Sequence, residues 1–306
     1  MNNRQRIHPL LFFAHRAKMA GLTAYMTLLC SFPLDARAHG DLHIGIYELT
    51  LQIEKEPGAE LYLKRGDLYR QDTNYPAALA DLERAAELNP SLAAVRLCRG
   101  HTQFEARQYR LALPPLNQLL SGCPDHPAAR LLRARTCVAL GDHASAVKDY
   151  DHLVAITPFP PPDCYLERAE SLKSLGKEQE AIRSLDEGIA RTGNLQTLQQ
   201  SAICIELRMN RYDAALARVD LILPSLQRRE FWQARRGDIL EAAGRHGEAQ
   251  RAWREAMASI AALPDHHRAV KPVAGLAAAL SRKLRANPSD TSKTNQPSAP
   301  QIRPPP

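Results

Sequence analysis

The sequence predicts an all-α solenoid of about six helix-hairpin repeats with a capping helix at each end, and three observations predict it. A pattern of small residues, aromatics and prolines returns every 34 residues between 59 and 263. Alanine and leucine are abundant, while aromatics make up 6% of the 306 residues and glycine contributes only 15. That balance disfavours a sandwich or barrel, which needs β-branched and aromatic strands joined by Gly-rich turns. Apolar residues on both flanks of the repeats stand at helical spacing, as in Leu42, Ile46, Leu49 and Ile53. The 44% hydrophobic content excludes a wholly disordered chain, and six cysteines are too few for a disulfide-built scaffold.

Residues 1–38 read as an export signal. Arg4, Arg6, Arg16 and Lys18 form a basic region, Met19–Leu34 carries no charge, and Ala36-Arg37-Ala38 is an A-x-A exit. The uncharged run is 16 residues, short of the ~20 that a spanning helix needs. The expected address is therefore the periplasm or the outside, with an uncleaved N-terminal membrane anchor as the alternative. Leu29 before Cys30 is too large for a lipobox, so lipidation is not expected. Met19 is an alternative start that leaves the exit unchanged.

Residues 39–58 form the leading cap, a helix expected over Asp41 to Lys55 and ended by Pro57-Gly58. The repeats then run near 59–92, 93–126, 127–160, 162–195, 196–229 and 230–263. The first carries Gly66, Tyr69, Tyr75, Ala78, Ala85 and Pro90; the second, Gly100, Tyr109, Ala112, Leu119 and Pro124. The third shows Ala134, Gly141, Ala146, Tyr150 and Pro158, and after one inserted residue the fourth shows Ala169, Gly176, Ala181 and Leu185. A weaker fifth has Tyr212, Ala215 and Val219, and the sixth is clear again with Gly237, Gly244, Ala249, Trp253 and Ala256. Small residues at the eighth and twentieth places let two helices approach closely, and proline near the thirty-second ends the second helix. The fifth unit departs from this: Ile203 stands at the small eighth place, and no proline closes the repeat.

This pattern resembles the tetratricopeptide repeat (TPR), and the resemblance covers residues 59–263. It implies a right-handed TPR-type solenoid whose usual work is protein–protein interaction. Residues 264–286 contain Val270, Val273, Leu276, Leu280 and Leu284 and are expected as the C-terminal capping helix, with Pro272 near its start; their heptad-like spacing also suits a dimerisation helix. The tail 287–306, rich in Pro, Ser and Thr, cannot bury enough surface to order itself.

No catalytic motif appears. A phosphate loop, a G-x-S-x-G elbow, an H-E-x-x-H pair and a haem C-x-x-C-H are all missing, and no cofactor is implied. Asp149, Asp151 and Glu187 are expected on solvated surfaces of second helices. Cleavage after Ala38 would expose His39 as a new N-terminus with His43 four residues on, and this pair is the alternative reading: a copper or zinc site of an envelope metal-handling protein. The bland reading makes Asp41 an N-cap at a polar helix start. Cys123-Pro-Asp-His126 has ligand-like spacing but falls at an inter-repeat turn. Cys98, Cys137, Cys164 and Cys204 are buried-thiol candidates, and a Cys123–Cys164 bridge is open in an oxidising compartment.

The resemblance also places a partner-binding groove. Its second, fifth, ninth, twelfth and thirteenth places give Glu60, Leu63, Asp67, Arg70 and Gln71 in the first repeat, and Ala94, Leu97, His101, Phe104 and Glu105 in the second. The third offers Ala128, Leu131, Arg135, Val138 and Ala139; the fourth offers Asp163, Leu166, Glu170, Lys173 and Ser174. An apolar floor with a mixed-charge rim suits an extended peptide or an amphipathic helix. Family members that clamp acidic chaperone tails carry Lys and Asn where this chain has Leu63 and Asp67, so that ligand is not expected.

The net charge of +7 suggests nucleic acid until it is located. Residues 1–38 hold five basic and one acidic residue, and residues 281–306 the same. The body, 39–280, has 30 basic against 31 acidic residues, so a nucleic-acid partner is not expected.

Overall fold

The computed structural model describes residues 34–286 apart from 194, with side chains from 41 onward. The expected signal through residue 33 and the tail 287–306 lie outside the described residues. Fifteen α-helices and no strand occur among the described residues, so the fold is the expected all-α class of consecutive helix hairpins.

The chain divides into two compact units at Leu140 and Gly141. The first contains α1 (Leu34–Lys55), α2 (Ala59–Gln71), α3 (Tyr75–Leu88), α4 (Ala93–Glu105), α5 (Tyr109–Gly122) and α6 (Pro127–Ala139). Helices α2–α3 and α4–α5 are the tight hairpins; α1 packs on α2, α3 on α4 and α5 on α6, while the first helices α2, α4 and α6 touch in series. The second unit contains α7 (His143–Ile156), α8 (Pro162–Ser174), α9 (Glu178–Thr192), α10 (Gln196–Arg208) and α11 (Tyr212–Ile222). It continues through α12 (Glu230–Ala242), α13 (His246–Ala261), the single turn α14 (Asp265–Arg268) and α15 (Lys271–Ala286), which packs on α13.

Small residues make the hairpins close. Ala78, Ala112, Ala146, Ala181, Ala215 and Ala249, one near the start of each second helix, are all fully buried. A Cβ built on Gly237 would stand 2.3 Å from Cδ1 of Trp253, and one on Gly100 would stand 2.8 Å from the Leu116 side chain. The hairpin turns repeat as well. Thr73, Arg107, Gly141, Gly176, Asn210 and Gly244 all take positive φ at equivalent places. The residue after each of Thr73, Arg107, Gly176, Asn210 and Gly244 donates its N–H to the carbonyl five residues back, which satisfies a helix-end acceptor.

Several expectations are corrected. Helix α1 starts at Leu34, so Asp41 lies inside it and does not cap it. Asp149 is buried rather than solvated, whereas Asp151 and Glu187 keep exposed carboxylates, as expected, and bind Arg168 at 3.2 and 2.5 Å. Val270 precedes α15 and is exposed, while Val273 and Leu280 are buried; Pro272 sits in the first turn of α15, where its missing N–H costs nothing. Ile203 fills the place where other units use glycine or alanine by burying itself among Ala215, Leu216 and Trp232. Cys98, Cys123, Cys137, Cys164 and Cys204 are all thiols, with Cys123 and Cys204 exposed.

Candidate functional site

Helices expose one side chain in every third or fourth position to a given face, so the fifth place of successive first helices forms a row. Leu63, Leu97 and Leu131 stand in such a row on α2, α4 and α6. Together with Ala94, Ala128, Leu68 and Leu132 they floor a cavity of about 680 Å³ in the first unit. Asp67, Arg70, His101 and Arg135 border it, and Leu49 of α1 walls one side. Nine of the groove residues named from the sequence are therefore brought together here.

The rim is a connected polar chain. Arg70 donates from Nε to Oδ1 of Asp67 at 2.9 Å and from Nη1 to Oε1 of Glu105 at 2.7 Å, which ties α2 to α4. Gln71 donates to the other Asp67 oxygen at 2.9 Å, and the Cys98 thiol approaches Asp67 at 3.6 Å. Burial pushes the Asp67 pKa up, but the hydrogen bonds from Arg70 and Gln71 and the Arg70 charge overcome it and leave the value below 3.8. Burial and the charges of Arg70 and Arg135 hold the His101 pKa below 6.5, against the opposing pull of Glu105 and Asp67. Burial pushes the Cys98 thiol up to about 12, which keeps it protonated and a poor nucleophile.

Phe104 lies outside this cavity. Its ring packs toward α5, 5.4 Å from the ring of Tyr109, beside the Leu116 cluster. Val138 is exposed and does not line it. Leu166, Glu170 and Lys173 belong to the second unit, where they line a hollow of about 420 Å³ with Gln200, Cys204 and Arg208 of α10; Lys173 pairs with Glu170. What the sequence reading missed is the contribution of Leu49, Lys64, Leu68, Cys98 and Leu132. Leu49 was legible as part of an apolar helix face, but not as a groove wall.

Among the described residues no cluster of three or more His, Cys, Asp or Glu could hold a metal ion. His43 is largely exposed, with Asp72 at 3.9 Å, and the side chain of His39 lies outside the described residues. No helix among the described residues is long and apolar enough to cross a membrane.

Residues 59–92 match the family described as tetratricopeptide repeat. The α2–α3 hairpin lies within the matched residues. A crystal structure of a tetratricopeptide repeat protein from Parabacteroides merdae ATCC 43184 is similar with a TM-score of 0.50 and 19% identity. The similarity covers 81% of this chain and 95% of that one, and at this identity it establishes the TPR-type fold alone. In sequence, the chain is 29% identical over 129 residues to Bacteriophage adsorption protein A of Escherichia coli (strain K12). That match covers 40% of this chain but only 13% of the relative. TPR-type folds commonly serve as protein-interaction scaffolds, and the groove here lies on α2, α4 and α6 of the first unit.

Proposed function

We propose that this chain is a non-catalytic protein-interaction scaffold of the bacterial-type cell envelope, exported by cleavage after Ala38. Its partner contributes an apolar peptide segment or an amphipathic helix held on Leu63, Leu97 and Leu131. The leucine floor with its charged rim carries this reading. Apolar side chains on a ligand gain by leaving water there, at about 25 cal/mol per Å² buried, while Asp67, Arg70, His101 and Arg135 orient the polar backbone or side chains around them. The Asp67–Arg70–Glu105 chain fixes the rim before binding, which reduces the ordering cost of association. An envelope address is supported by the A-x-A exit at Ala36–Ala38 and by likeness to a protein named for bacteriophage adsorption.

The test has two arms. N-terminal sequencing of exported protein should begin at His39; retention of the leader in all recovered protein rejects the cleaved-signal reading. Partner recovery from envelope extracts should drop at least tenfold for Leu97→Glu plus Leu131→Glu with helicity unchanged, and equal recovery rejects the groove.

A further inference from the structure

The charges around the leucine floor are unevenly spent. Lys64, Arg70 and Arg135 line the cavity, against the single carboxylate of Asp67. The protein itself engages that carboxylate: Oδ1 accepts from Arg70 and lies 3.6 Å from the Cys98 thiol, and Oδ2 accepts from Gln71. Glu105, beside the rim, accepts from Arg70 at 2.7 Å and has Nδ1 of His101 at 3.4 Å. A cation on a ligand would therefore have to displace Arg70 from one of these acids. An anion displaces nothing at Lys64, which is exposed and makes no hydrogen bond or ion pair among the described residues.

The cations also bracket the floor. Lys64 stands one turn before Leu68 on α2, and Leu68 packs against α1, 3.0 Å from where a Cβ on Gly45 would stand. Arg135 stands one turn after Leu131 on α6, at the other end of the series α2, α4, α6. A ligand that lies across Leu63, Leu97 and Leu131 thus meets a lysine at one edge and an arginine at the other. Lys64 offers a mobile ammonium on a long stem, and Arg135 a planar fork that matches a carboxylate. Ion pairs at such an edge add modestly to affinity, but they discriminate by sign, because like charges brought together are costly.

We propose that the partner segment held on Leu63, Leu97 and Leu131 is acidic as well as apolar, with carboxylates that meet Lys64 at one edge and Arg135 at the other. This rests on the groove reading and names the partner's chemistry. A basic segment would bring like charges onto Lys64 and Arg135, and a purely apolar one would cover both cations without pairing them. The carboxylates belong to side chains within the segment. Cations at both edges call for an acid at each end, and a chain has only one terminal carboxylate.

Two fluorescent probes that share one aromatic body separate charge from apolarity on the protein as its host leaves it: the anion anilinonaphthalene sulfonate and the neutral phenylnaphthylamine. Both should bind the parent, and Leu97→Glu plus Leu131→Glu should abolish binding of the neutral probe. Lys64→Glu plus Arg135→Glu should weaken the anion about tenfold and the neutral probe less than about twofold, with helicity unchanged. Lys64→Glu alone should weaken the anion about threefold, and it leaves the fold intact because the side chain it replaces is exposed. Equal loss of both probes, or an anion that binds both charge variants as it binds the parent, overturns the acidic partner. The groove reading survives that outcome if neutral binding still depends on Leu97 and Leu131. A parent that fails to bind the neutral probe rejects the groove, and this inference with it.

Discussion

The guanidinium of Arg65 holds the carboxylate of Asp81 with two hydrogen bonds of 2.7 Å, Nε to Oδ2 and Nη2 to Oδ1, across the α2–α3 hairpin. Its remaining Nη1 donates to Oγ1 of Thr50 at 2.9 Å, which ties α1 to the same hairpin. Both side chains are mostly buried, at 16% and 8% exposure. Removing one partner strands the other charge, so Arg65→Met should cost about 3 kcal/mol in urea unfolding. Arg65→Met with Asp81→Leu should recover to within about 1 kcal/mol of the parent, since a matched apolar pair incurs no desolvation penalty. A single variant as stable as the parent would show that the pair is energetically idle.

Gly237 is required by Trp253. The indole lies where a Cβ would go, at 2.3 Å from Cδ1 and 2.4 Å from Nε1, and Nε1 is itself held by Asp238 at 2.9 Å. The ring is buried and cannot shift freely. Gly237→Ala gains about 1 kcal/mol of helix propensity but should lose about 3 kcal/mol to overpacking. The expected net is a lower melting temperature; an unchanged or higher one would mean the ring has room to move.

Thr73 occupies the left-handed region at φ 59°, with a branched Cβ at the helix-end turn. Three equivalent turns use Gly141, Gly176 and Gly244. Thr73→Gly should therefore raise stability by about 1 kcal/mol, because the strain relieved in the folded state exceeds the added freedom of the unfolded chain. Denaturant midpoints measure it, and a fall in midpoint would contradict it.

His101 makes the first unit sensitive to acid. The unfolded chain takes up a proton near pH 6.5, whereas in the folded chain burial and the charges of Arg70 and Arg135 place that step lower. Stability is thus complete above about pH 6.5 and declines as pH falls through the folded value. The His101→Gln variant should lack that slope, and an NMR titration should place the ring below 6.5. A midpoint at or above 6.5 would remove the basis for the prediction.

The repeats were legible because close helix contact constrains single positions. Ala78, Ala112 and Ala146 could be read as contact points since a small residue returns at that place every 34 residues, and Leu63, Leu97 and Leu131 as groove residues since helical phase fixes their direction. Phe104 shares that phase, yet its ring turns to Tyr109, because a long side chain can choose between two neighbours. Asp149 looked like surface charge and is buried, because sequence shows a residue's type and not the partners that can compensate it. The paired acids of Arg168 were hidden for the same reason.

From the sequence alone came the helical class, the 34-residue period, the hairpin contacts and the location of the excess charge in the two ends. These follow from local periodicity and volume, which each residue carries with it. Tertiary structure decided that Leu49 walls the groove and that Arg70 joins Asp67 to Glu105. Burial and pairing depend on which neighbour a side chain meets, and that neighbour comes from a segment distant in sequence.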